Sequence, residues 1–202
     1  MKNILFFLPL LITLTACSKS PDSLSKLPNH AVILAFGDSL TYGTGASPQR
    51  DYPSILAQLT TRQVVNAGRP GEISGDGLKR LPALLDLHQP DLLILIHGGN
   101  DMLRRIPVEQ TAENLKQMIA LAQERQIGVI MLGVPSPNIL WMSSAEFYQA
   151  IAEAMEVPID VDTLPEVLGD NNLKSDLIHP NDQGYERIAT QIHGLLIDSG
   201  AL

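Results

Sequence analysis

Asp91-Leu92-Leu93-Ile94-Leu95-Ile96-His97-Gly98-Gly99-Asn100 decides how this chain folds. From Leu92 to Ile96 every residue is apolar, without a polar alternation, which is the pattern of a strand covered on both faces as in a parallel sheet. The two glycines end the run. Ala31-Val32-Ile33-Leu34-Ala35-Phe36 and Gly128-Val129-Ile130-Met131-Leu132 read the same way, and Val64-Val65-Asn66 and Val157-Pro158-Ile159-Asp160-Val161 are shorter extended pieces. Between them Tyr52 to Leu59, Leu78 to Leu87 and Val108 to Arg125 are amphipathic, the last with Leu115, Met118, Ile119 and Ala122 at helical spacing, and Gln183 to Ile197 reads as a closing helix. Five strands alternating with helices predict a three-layer αβα domain, of α/β class, with right-handed crossovers.

Four short segments fall at matching places in that layout: Gly37-Asp38-Ser39-Leu40, Asn66-Ala67-Gly68-Arg69-Pro70-Gly71, Gly98-Gly99-Asn100-Asp101 and Asp176-Leu177-Ile178-His179. The first three follow the first three strands, and the fourth lies between the last strand and the last helix. Open α/β sheets bind ligands beyond the carboxyl ends of their strands, so one face of the sheet is expected to gather all four.

Their residue types suit acyl transfer to water. A serine hydroxyl attacks only when a neighbouring base takes its proton, and Ser39 needs a histidine for that. Among five histidines, His179 is the best placed, because Asp176 three residues earlier can hold Nδ1 and leave Nε2 for the serine. The oxyanion formed on attack needs preorganised donors; the backbone N–H groups of Ser39 and Gly71 and the side-chain amide of Asn100 are the candidates. Asp38 reads as a carboxylate that braces its loop. His97 has two open readings, a site-lining residue or a partner of loop carbonyls, and only Asp101 is near enough in sequence to orient it. Nothing has the ligand spacing of a zinc site, so no metal is expected.

The amino terminus reads as an export signal, residues 1–16, with Lys2 ahead of an apolar run from Ile4 to Leu14. That run is too short to span a bilayer, which takes about 20 apolar residues. Leu14-Thr15-Ala16-Cys17 resembles the lipobox of bacterial lipoproteins, and Cys17 is the only cysteine; the resemblance implies lipidation of Cys17 and attachment to a membrane. Residues 17–29 are then the lipidated cysteine and a flexible tether, polar and containing Pro21 and Pro28, and 30–202 the folded domain. Ser18 is not the aspartate that retains such proteins in the inner membrane, so the expected place is the outer membrane, facing the periplasm. A net charge of −8 with no basic stripe argues against a nucleic-acid partner.

The four segments, with Gly37-Asp38-Ser39-Leu40-Thr41-Tyr42-Gly43 and Asp176-Leu177-Ile178-His179-Pro180-Asn181 quoted in full, resemble blocks of the SGNH (GDSL) hydrolases from Val32 to Ile192, nearest to their thioesterase I, arylesterase and lysophospholipase group. The resemblance implies a flavodoxin-like sheet of five parallel strands, no cofactor, Ser39 as nucleophile, His179 as base, Asp176 as its acid partner, and Gly71 and Asn100 as oxyanion donors. Two features depart from it. His97 stands where many relatives carry an apolar residue, and Pro135 to Ser144 matches no pattern; in it Ile139, Leu140, Trp141 and Met142 either wall the site for an acyl chain or pack against the domain.

The expected activity is hydrolysis of short to medium acyl esters or thioesters through an acyl-Ser39 intermediate. A carbohydrate or peptidoglycan O-acetylesterase stays open as an alternative, as does a non-catalytic envelope binding module. The oligomeric state is not legible.

Overall fold

The computed structural model describes residues 23–136 and 143–202. β1 (Val32–Gly37), β2 (Gln63–Gly68), β3 (Leu92–Ile96), β4 (Gly128–Leu132) and β5 (Ile159–Asp160) form one parallel sheet in the order β2-β1-β3-β4-β5. This is the flavodoxin-like order, with its switch point between β1 and β3. The apolar runs explain who sits where. β3 is buried at every position and lies in the middle, whereas β2 exposes Gln63 and Asn66 and forms an edge.

Eight helices join the strands among the described residues: α1 (Ser39–Tyr42), α2 (Tyr52–Thr60), α3 (Ser74–His88), α4 (Gly99–Leu103), α5 (Val108–Gln123), α6 (Glu146–Met155), α7 (Thr163–Gly169) and α8 (Asp182–Asp198). α2 and α7 pack with α8, and α3 and α6 pack with α5, giving the two outer layers. α8 buries Tyr185, Ile188, Ala189, Ile192 and Leu196, one stripe at helical spacing, and Asn181 caps it by accepting from the Gln183 and Gly184 N–H groups.

Two boundaries differ from the sequence reading, each for a tertiary reason. α3 begins at Ser74, four residues before Leu78, because the Ser74 N–H donates to the Asp101 carboxylate at 2.8 Å; a cap supplied from another segment leaves no local signal. β5 shrinks to Ile159 and Asp160, since the Asp160 side chain accepts from the Asp162 and Thr163 N–H groups and turns the chain into α7.

Leu24 to Pro28, expected within the flexible tether, instead dock under the amino ends of the strands, where Leu24 N–H donates to the Ser199 carbonyl and Leu27 N–H to the Ala201 carbonyl, both at 2.8 Å. Arg62 donates to the carbonyls of Leu27 and Pro28, and the Leu27 side chain is buried. Buried apolar area and satisfied backbone groups hold this piece to the body. The leader, Cys17 and residues 18–22 lie outside the described residues. No helix among the described residues is long and apolar enough to cross a membrane.

Candidate active site

Ser39 opens α1 directly after β1, so the end of a buried strand fixes its backbone. Asp38 sets the turn by accepting from the Leu40 N–H at 3.1 Å. It is buried, and burial raises its carboxyl pKa against the opposing pull of nearby His97 and of that hydrogen bond.

His179 reaches the serine from the loop before α8. Its Nε2 lies 3.0 Å from Ser39 Oγ, and its Nδ1 lies 2.8 Å from Asp176 Oδ2. A carboxylate can only accept, so the ring proton sits on Nδ1 and Nε2 offers its lone pair to the serine hydroxyl. Asp176 Oδ1 also accepts from the N–H groups of Ile178 and His179 at 2.8 and 2.9 Å, making the loop a closed Asx turn. Burial pushes the Asp176 pKa up, but the His179 and backbone hydrogen bonds together outweigh it and hold the carboxyl below its ordinary value. A short antiparallel bridge between Lys174 and Pro180 closes the loop base.

Three contacts lock α8 to the stretch after α1. Asp182 accepts from the Ser47 N–H at 2.7 Å, the Tyr185 hydroxyl donates to the Thr44 carbonyl at 2.8 Å, and Arg50 pairs with Glu186 at 2.8 Å. The ion pair is exposed and contributes little; the two hydrogen bonds set the spacing between loop and serine.

Asn100 lines the same pocket as Ser39, whereas Gly71 lines a neighbouring depression with Arg69, Pro70, Glu72 and Arg80. Gly71 has a φ of +74°, a left-handed turn that a side chain would strain, and its carbonyl accepts from Arg104 Nη2 at 2.8 Å. Asn100, in the first turn of α4, donates through Nδ2 to Asp38 Oδ2 at 3.2 Å and to the Glu72 carbonyl at 3.1 Å. Its two amide protons therefore tie the ends of β1, β2 and β3 together.

Glu72 is the residue sequence reading missed. Its buried carboxylate takes a bidentate contact from Arg80, at 2.7 Å from both Nε and Nη2, and a further contact from His97 Nε2 at 3.3 Å. Arg80 also donates to the Ala67 carbonyl and covers the Phe36 ring at 4.3 Å. Burial raises the Glu72 pKa, yet the hydrogen bonds of His97 and Arg80 hold it down at about 2. A Glu directly after Gly71, with Arg eight residues on in a helix, was the available signal; it pairs through space, which spacing alone does not reveal.

His97 belongs to this floor. The Gly98 N–H donates to its Nδ1 at 2.9 Å, so the ring proton is on Nε2 and points at Glu72. The Tyr148 hydroxyl donates to the His97 carbonyl at 2.7 Å. Gly77 of α3 makes room for the ring, since a Cβ there would fall 2.5 Å from His97 Nε2. Asp101, the one carboxylate near enough in sequence to orient His97, turns instead to Ser74 and Thr111.

Ser39, Asn100 and His179 open into a pocket whose apolar lining is Leu40, Leu103, Val134, Pro135, Leu168 and Ile178. Ile139, Leu140, Trp141 and Met142, expected as a wall, lie outside the described residues. Among the described residues no group of three or more His, Cys, Asp or Glu is placed to hold a metal. The arrangement, a hydroxyl on an imidazole on a carboxylate beside an amide cluster, is suited to acyl transfer.

Known proteins resemble this chain along most of its length. A model of the GDSL-like lipase/acylhydrolase family matches residues 35–187. An arylesterase of Vibrio mimicus is 33% identical, the match covering 78% of this chain and 84% of that protein. Thioesterase 1/protease 1/lysophospholipase L1 of Escherichia coli K12 is 32% identical, with 78% and 79% covered. The crystal structure of TesA superposes with a TM-score of 0.74 at 27% identity, covering 83% of this chain and 99% of that one.

Proposed function

The chain belongs to the GDSL-like lipase/acylhydrolase family and is an ester or thioester hydrolase, and on that footing we propose that it works through an acyl intermediate on Ser39. The observation that carries the mechanism is the continuous line from Asp176 Oδ2 through His179 to Ser39 Oγ, at 2.8 and 3.0 Å, opening into an apolar pocket. His179 takes the serine proton as Oγ attacks the acyl carbon and returns it to the leaving group; water then repeats the cycle on the acyl-serine. The Ser39 and Gly71 N–H groups and the Asn100 amide receive the oxyanion.

The substrates are short to medium acyl esters or thioesters. Support comes from the pocket lining, where Leu40, Leu103, Val134, Leu168 and Ile178 offer an acyl chain an apolar surface with Pro135 at its edge. The chain is held in the bacterial envelope by lipid on Cys17, facing the periplasm and on the outer rather than the inner membrane; the support is Leu14-Thr15-Ala16-Cys17 followed by Ser18.

Titration with a serine-reactive organophosphonate tests the mechanism. Stoichiometric loss of activity with the adduct on Ser39, and no labelling or turnover in Ser39→Ala, is the expected result. An adduct on another serine, or turnover by the variant, removes Ser39 from the role.

A further inference from the structure

The point at which the chain enters the described body and the active site lie at opposite poles of the domain. The chain enters the body at the amino ends of the strands, where Leu24 and Leu27 are bonded to Ser199 and Ala201 beyond the carboxyl end of α8, and Ser23 and Leu24 line a cleft with Asp91 and Gly128. Ser39, Asn100 and His179 stand at the other pole, at the carboxyl ends of β1 and β3 and ahead of α8. α8 links the two poles; its 17 residues at 1.5 Å each separate them by about 25 Å.

The leash between them is short. Because Leu24 to Pro28 are held to the body, only six residue steps separate Cys17 from Ser23, and at 3.3–3.6 Å each they can span about 20 Å at most. That is less than the distance from the entry pole to the site. A domain on this leash cannot roll over to press its pocket onto the leaflet that holds Cys17.

We propose, resting on the reading of Cys17 as lipidated, that the active-site mouth faces away from the anchoring membrane and that the substrates are water-soluble acyl esters, not lipids of the leaflet to which the chain is attached. The exposed side chain of Leu103 at the mouth then meets the acyl or aryl part of a dissolved substrate. Docking of Leu24 to Pro28 sets the orientation, because releasing them would double the leash.

Vesicles carrying the full-length lipidated protein test this. Two butyrate esters are compared, a soluble p-nitrophenyl ester and a fluorogenic ester fixed to a phospholipid headgroup in the same bilayer at high vesicle dilution. A second protein carries a 20-residue Gly/Ser insertion between Ser20 and Pro21, which adds about 25 Å of root-mean-square reach. Both proteins should turn over the soluble ester at equal rates, whereas the lipid-fixed ester should be hydrolysed at least tenfold faster by the lengthened one. Equal rates on the lipid-fixed ester overturn the orientation. Palmitate labelling and vesicle flotation are read on the same samples, so failure to take up lipid overturns the anchor and the orientation together and is distinguished from failure of the orientation alone.

Discussion

His97 Nε2 donates to Glu72 Oε2 across 3.3 Å, and the carbonyl of the same Glu72 accepts from the Asn100 amide at 3.1 Å. One buried residue thereby binds the end of β3 twice, through His97 just after the strand and through Asn100 in the next turn. The carboxylate is anchored in turn by Arg80 from α3. The polar floor is fully partnered, which is the condition under which buried ionic groups rigidify a site instead of weakening it.

Replacement of His97 should therefore act on catalysis through Asn100. His97→Leu is expected to lower kcat roughly tenfold, the worth of one net hydrogen bond to a charged group, with KM little changed. His97→Gln, which keeps a donor toward Glu72, should recover most of the loss. In an Asn100→Ala background the His97→Leu effect should vanish; additive losses would mean that His97 acts elsewhere.

Asn100→Ala itself should lower kcat by about 10²–10³ with KM nearly constant, as expected for a donor engaged mainly in the transition state. A raised KM at constant kcat would assign the amide to substrate binding. The variant also frees Asp38 Oδ2 of its partner, so thermal unfolding should be recorded in parallel.

Loss of His179 should exceed loss of Asp176. His179→Ala is expected to reduce kcat by about 10⁶ and Asp176→Ala by about 10⁴, because the carboxylate fixes the tautomer while the imidazole moves the proton. Steady-state rates on a soluble aryl ester measure both, and an Asp176 loss equal to or above that of His179 would contradict the assigned order.

Glu72 makes stability depend on pH in a calculable direction. Its folded pKa, about 2, is below the ordinary value of about 4.3, so its stabilisation is complete above the ordinary value and is lost as pH falls from there toward 2. Asp38 is displaced upward by burial and contributes with the opposite sign, losing stability as pH rises above the ordinary aspartate range. Glu72→Gln should cost about 3 kcal/mol at pH 7 and flatten the fall of unfolding temperature between pH 5 and pH 3, whereas Asp38→Asn should steepen it. Calorimetry across that range reads both.

The α/β order was legible because unbroken apolar runs such as Leu92 to Ile96 leave no choice but a doubly covered strand, and Val108 to Gln123 carries a full helical stripe. The four polar segments stood out because glycines and short polar residues interrupt those runs at the strand ends. Pairing through space stayed hidden. Glu72 looks like an ordinary loop acid until Arg80 arrives from α3 and His97 from the turn just after β3, and Asp101 caps a helix to which it is not adjacent in sequence. Leu24 and Leu27 read as tether because a segment that docks by two backbone bonds and one buried side chain has no periodicity to detect.

The separation of Ser39 and His179 by 140 residues has a consequence for how the protein is made. A chain delivered amino end first presents its serine early and its imidazole almost last, and that imidazole is seated only when Asp182, Tyr185 and Glu186 of α8 grip the stretch after α1. Incomplete or carboxyl-truncated chains carry a hydroxyl with no base. Hydrolysis thus begins only once the chain has been made through α8 and that helix has docked.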